Sequence, residues 1–118
     1  MAETDLFQRT KAYALRIIRL YVALPKSTEA QVLGKQVLRS GTSIGAHYRE
    51  ANRAKSDADF INKLQTALQE LDETAYWLEL IIDAGLFDET KVKPLYEETK
   101  ELNAIFTTIV KKVRDRKT

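Results

Sequence analysis

Cysteine is absent from the chain of 118 residues, which excludes disulfides, zinc ribbons and thiol catalysis. Proline occurs twice and glycine four times, too few turn-formers for the closely spaced reversals of a sheet-rich fold. The only histidine is His47, and the residue three before it is Ile44 rather than glutamate. The Glu-x-x-His pairs that build di-metal sites in helical bundles are therefore not available. No Gly-rich phosphate loop, nucleophile elbow or buried acid pair is visible. The chain is accordingly not expected to be an enzyme, and no metal or cofactor is expected; His47 reads as a surface or interface residue. No apolar run approaches the length of about 20 residues that crosses a bilayer. The N-terminal MAETDLFQRTK lacks the basic-then-apolar order of a signal peptide. A cytoplasmic location without a membrane partner is the expectation.

What is present is the balance of a folded helical protein, with 44% hydrophobic and 31% charged residues. The length fits a single domain covering residues 1–118. The net charge of +2 conceals a sorting along the chain. Residues 1–55 carry 10 Lys/Arg against 4 Asp/Glu, residues 56–103 carry 4 against 12, and residues 104–118 carry 5 against 1. Separate basic and acidic surfaces follow, suited to an anionic partner or to subunits meeting one another.

Apolar spacing predicts four helices, at about 4–24, 29–54, 57–84 and 89–115. In the first, Leu6, Thr10, Tyr13, Ile17, Leu20 and Leu24 form one stripe, which Pro25 ends. Ser27 or Thr28 can cap the second helix, Ser56 the third and Asp88 the fourth. Phe60, Leu64, Ala67, Leu71, Thr74, Leu78 and Ile81 form the third stripe, with Gly85 as its C-terminal stop. Val92, Leu95, Thr99, Leu102, Phe106, Ile109 and Val113 form the fourth. Pro94 leaves two readings there, a helix that starts near Lys93 or one that is kinked.

The stretch SGTSIGAHYREA, Ser40 to Ala51, has the composition of a loop. On a helical wheel, however, Arg39, Thr42, Ala46, Arg49 and Arg53 all fall within about 40° of Lys35. Leu33, Val37, Ser40, Ile44, Tyr48 and Ala51 fall within about 40° of the opposite direction. Gly34, Gly41, Gly45 and Asn52 share one flank. A turn at Ser40-Gly41 would not preserve this phase, so one helix is predicted through both glycines, with a neighbouring helix backbone in close approach to Gly41 and Gly45. Four helices with short connections predict an all-α, antiparallel up-down-up-down bundle.

Two motifs add a resemblance. Ser43-Ile44-Gly45-Ala46 on the second helix and Tyr76-Trp77-Leu78-Glu79-Leu80 at the end of a serine-capped third helix resemble a bacterial four-helix-bundle family, the proteins encoded within 23S ribosomal RNA intervening sequences. The pattern covers nearly the whole chain and is most specific from Arg39 to Ile81. His47-Tyr48-Arg49 replaces the asparagine-containing segment of many relatives without disturbing the helix phase. The resemblance implies a four-helix bundle assembling as a homopentamer. It also implies kinship with the accessory proteins of diversity-generating retroelements, which are basic, bind nucleic acid and associate with a reverse transcriptase.

Three surfaces are candidates. Lys35, Arg39, Arg49 and Arg53, with Lys55 beyond, make a basic row about 27 Å long at 1.5 Å rise per residue. Such a row can meet several phosphates and release their counterions. It is equally a solvated face or a row pairing with acids of a neighbour. No aromatic lies on it, so base stacking is not indicated and contacts to RNA or DNA would be to the backbone. The tail adds Lys111, Lys112, Arg114, Arg116 and Lys117, which also complement a helix C-terminus. Finally, Tyr76, Trp77 and Leu80 on the third helix, and Leu15 and Val22 on the first, stand off the core stripes and are candidates for a subunit interface. The function so predicted is low-specificity nucleic-acid binding by a homo-oligomer. The alternative is a protein-interaction scaffold whose charges serve assembly or a protein partner.

Overall fold

Four helices account for almost all of residues 5–116, the part of the chain described by the computed structural model. They are α1 (Leu6–Ala23), α2 (Thr28–Ala51), α3 (Asp57–Asp83) and α4 (Glu89–Asp115), and no strand occurs among the described residues. The expected start of α1 at Thr4 and the tail residue Lys117 lie outside that part. Each helix begins on a side-chain cap: Asp5 accepts from the Gln8 amide, Ser27 from Ala30, Ser56 from Asp59 and Asp88 from Thr90. These bonds satisfy amides that have no partner within the first turn. α3 stops where Gly85 takes φ 67°. There the Leu86 amide reaches back to the Ile81 carbonyl and the Gly85 amide to Ile82, a left-handed closure that glycine adopts at low cost.

One core draws on all four helices. Every member of the α1 stripe is buried, and so are Val37, Ser40, Ile44, Tyr48 and Ala51 of α2. Phe60 is only half-buried, because it sits in the first turn of α3, beside the depression at that end of the fold. In α4 the stripe passes through Val110, and Ile109 is half-buried. Pro94 lies inside α4, which starts at Glu89 rather than near Lys93. Its missing N–H would have bonded the carbonyl of Thr90, and both residues are exposed, where water replaces the bond.

The polar members of the stripes are bonded to one another across the core. The Ser40 and Thr74 hydroxyls join α2 to α3 at 2.7 Å, and Tyr13 and Thr99 join α1 to α4 at 2.6 Å. Thr99 spends its proton on the Leu95 carbonyl, so Tyr13 is the donor of that bond. Burial pushes the Tyr13 phenol well above its ordinary range, which keeps it protonated and donating.

α2 is one helix through Gly41 and Gly45. A Cβ on Gly41 would lie 2.8 Å from Ile17 Cδ1 and Cγ1, and one on Gly45 would lie 3.0 Å from Thr10 Oγ1. The glycines thus make room for α1, at Gly41 for a buried side chain and only at Gly45 for backbone as well, where the Thr10 carbonyl carbon would be 3.7 Å away. The helix ends sooner than the wheel implies, at Ala51 rather than Ala54. Asn52 caps it, its side chain donating to the Tyr48 carbonyl at 2.8 Å, and the next residues turn toward the Ser56 cap. Arg53 therefore leaves the helical row.

Thr99→Val strands the Tyr13 hydroxyl in the core and is expected to lower unfolding free energy by about 1–3 kcal/mol. Tyr13→Phe leaves Thr99 satisfied by Leu95 and is expected to cost less, about 0.5–1.5 kcal/mol; denaturant titration of the two variants checks the order. Gly41→Ala is expected to destabilise by crowding Ile17, and Ile17→Val, which removes the crowded Cδ1, should recover part of the loss in a double-mutant cycle.

Candidate nucleic-acid interface

The outward row of α2 contains Lys35, Arg39 and Arg49, all exposed, over about 21 Å at helical rise. Arg39 leans onto α3, its Nη2 donating to Glu73 Oε1 at 3.2 Å and to Gln36 Oε1 at 3.1 Å. The side chains of Arg39 and Glu73 are 57% and 48% exposed, so the pair holds little free energy and is readily exchanged. Arg49 lies 5.8 Å above the Phe7 ring, which leaves its outer edge free to donate. Arg53 and Lys55 stand exposed on the connection after Asn52, and neither they nor Lys35 makes an ion pair among the described residues.

The fold brings cations of the tail to the same end. Lys55 and Arg116 line one depression of about 390 Å³, across which Arg116 Nη2 lies 3.4 Å from Asp57 Oδ1. Lys11 of α1 and Arg49 border a hollow of about 250 Å³. Lys112 borders a groove of about 480 Å³ with Leu6 and Tyr48. Row and tail, separate in sequence, therefore meet where α2 and α4 end and α1 begins. Local spacing carries no signal of this, because the meeting depends on how the helices pack.

Not every cation is on offer. Arg9 donates from Nε and Nη2 to both oxygens of Glu98 at 2.8 Å, and from Nη2 to Glu101 at 2.7 Å. These contacts raise its already high pKa and tie α1 to α4. His47 Nδ1 lies 2.7 Å from Glu70 Oε1, with side-chain exposures of 26% and 13%. Burial pushes the Glu70 carboxyl upward and the bond to His47 opposes it. The imidazole is thus a tie between α2 and α3. Among the described residues no group of three or more His, Cys, Asp or Glu side chains is placed to hold a metal.

The apolar candidates divide. Leu15 is 41% and Val22 68% exposed on α1, and Ile18, at 41%, completes their row; Tyr76 is 54% exposed on α3. Ile18 was findable from its spacing, three after Leu15 and four before Val22. Leu80 is half-buried. Trp77 packs against the core, 5.3 Å from the Tyr76 ring, and its Nε1 is buried without a hydrogen-bond partner among the described residues.

A family model described as 23S rRNA-intervening sequence protein matches residues 2–108. The chain belongs to that family. It is also similar to a crystal structure of a protein of unknown function from the S23 ribosomal protein family of Bacteroides thetaiotaomicron VPI-5482. The two share 43% identity over 89% of this chain and 97% of that one, with a TM-score of 0.83. Comparison with curated proteins finds no match. The two motifs that carry the likeness to the 23S rRNA-intervening sequence family serve different ends here. Ser43-Ile44-Gly45-Ala46 buries Ile44 in the core and makes room for Thr10 of α1 at Gly45, whereas Tyr76 to Leu80 combines the buried Leu78 with the exposed Tyr76.

A carboxyl raised by folding costs stability only once it ionises, so its penalty is absent at low pH and grows as pH rises through the carboxylate range. His47→Ala removes the group that opposes the rise in Glu70. The variant is expected to lose about 1–3 kcal/mol at pH 7, and less at pH 4, where Glu70 holds its proton; urea unfolding at the two pH values measures both.

Proposed function

We propose that this member of the intervening-sequence family is a non-enzymatic, homo-oligomeric nucleic-acid-binding protein that grips RNA or DNA by its phosphates with little sequence preference. The observation that carries this reading is the gathering of Arg49, Arg53, Lys55, Lys112 and Arg116 at one end, continuous with Lys35 and Arg39 along α2. All of these are exposed, and the two engaged with acids are held only by solvent-exposed pairs. Phosphates can displace such pairs, and a phosphate row presents charge at a comparable spacing. The row on α2 has no exposed aromatic, since Tyr48 is 8% exposed and stacks on Phe106, and the exposed ring beside it, Phe7 of α1, already has Arg49 over one face, which supports contacts chiefly to the backbone.

An antiparallel up-down-up-down course is part of the proposal. It is supported by the order of contacts between consecutive helices, beginning with α1 and α2, where Leu24 lies at Gly34, Ile17 at Gly41 and Thr10 at Gly45. Arg39 meets Glu73 while His47 meets Glu70, and Tyr96 meets Glu79 while Asn103 meets Asp72 and Arg116 meets Asp57. Homo-oligomerisation, pentameric in the family resemblance, would repeat the basic end and give avidity on one long polyanion. A second reading, a scaffold that recruits a protein partner, is favoured by one observation, the exposed pair of Arg39 with Glu73 of the same chain, in which one member of the row binds a surface acid.

Titration of the protein with structured RNA, single-stranded RNA and duplex DNA at two salt concentrations tests the proposal. Binding is expected at low salt, falling steeply with added salt. Changing Lys35, Arg39, Arg49 and Arg53 to glutamine is expected to weaken it on all three ligands. The salt slope should flatten by about 0.9 for each duplex phosphate contact removed. No binding at low salt, or equal binding by the variant, would transfer the row to the scaffold reading.

A further inference from the structure

We infer that α1 of one copy docks on α3 of the next, a head-to-tail contact between two different faces of the same chain. The inference rests on the homo-oligomeric reading and names how the copies meet.

Of the large apolar side chains left exposed, Phe7 lies beneath Arg49 and Val32 stands alone on α2, and the rest make two faces. On α1 it is Leu15, Ile18 and Val22, at the spacing of one helical row. On α3 it is Tyr76, with Leu80 half-buried a turn further on. Each of α1 and α3 packs on both α2 and α4, so the two faces occupy different corners of the fold and one copy can use both at once.

Charge decides which face meets which. α1 contains no acid, and exposed Lys11 and Arg19 flank its apolar row. On α3 the apolar pair stands among exposed Asp72, Glu73 and Asp83. The only base of that helix, Lys63, lies toward the other end and is paired with Asp59 at 3.3 Å. A symmetric contact of α1 with α1 would place bases against bases, and α3 with α3 acids against acids, both costly at a desolvated interface. Only α1 with α3 sets apolar against apolar and base against acid. A contact between unlike faces is heterologous, and repetition of it closes a ring when the rotation permits.

The same contact leaves most of the basic end of each copy uncommitted; the two surfaces touch only at Lys11, beside Arg49, and at Glu73, the partner of Arg39. Neither face contains Lys35, Arg49, Arg53 or Lys55.

Complementation between damaged faces tests the inference. One variant carries Leu15→Glu and Val22→Glu, and the other carries Tyr76→Glu and Leu80→Glu; light scattering gives the mass of each and of their equal mixture. The unaltered protein is expected to be an oligomer and each variant a monomer with a full helical circular-dichroism signal. The mixture is expected to give twice the monomer mass and nothing larger, because one intact α1 face and one intact α3 face remain. Since Leu80 is half-buried, Tyr76→Glu alone serves as the α3 variant should the double change unfold the chain. An unaltered protein that is monomeric would overturn the homo-oligomeric reading itself. An oligomer that survives either variant, or a mixture that stays monomeric, would leave that reading standing and overturn the pairing of α1 with α3.

Discussion

α1 can lie this close to α2 only because Gly34, Gly41 and Gly45 form a flank without side chains, which α1 and its C-cap fill with Thr10, Ile17, Tyr21 and Leu24. Glycine inside a helix costs roughly 1 kcal/mol relative to alanine, and the return is a close contact in which Ile17 becomes fully buried. The direction of every other face follows from that contact. With α1 seated on the glycine flank, Ser40 is turned to Thr74 of α3 and the Lys35–Arg49 row is left outward. On α1 itself, burial of Ile17 leaves Ile18 and Leu15 pointing out.

The charges are arranged around this packing in two grades. Arg9 with Glu98, and His47 with Glu70, are partly buried ties between helices whose partners lose little freedom to water. Arg39 with Glu73, and Arg116 with Asp57, are exposed and contribute little to stability. Cations of the second grade are the ones a polyanion can recruit. The acids of α3 are left as a surface of opposite sign, which a basic end suited to nucleic acid does not need but a neighbouring α1 does. The proposed functions therefore use different parts of one charge pattern, one for assembly and the other for ligand.

The helices were legible because each stripe keeps phase over many turns and each start has a side-chain cap. Even the loop-like Ser40-Gly41 declared itself helical, since Lys35 and Arg49 stay aligned across it. Less legible were features that depend on a partner helix. The wheel carries Arg53 along α2, but Asn52 bonds back to Tyr48 and ends the helix first. The choice of Val110 over Ile109 depends on how α4 lies against its neighbours. The nearness of Lys55 to Arg116 is likewise a property of packing, invisible while row and tail are read as separate runs. Trp77 shows the limit from the other side: off the stripe by spacing, it is long enough to reach back and pack on the core.

Every surface assigned above depends on α2 keeping one phase through its glycines, and amide hydrogen exchange on the intact protein tests that most directly. The amides of Gly41 and Gly45 are expected to exchange as slowly as those of Val37 and Ile44, opening only with the whole fold. Rapid exchange confined to Ser40–Gly45 would mean a break in α2 and would dissolve both the basic row and the α1 contact on which the rest is built.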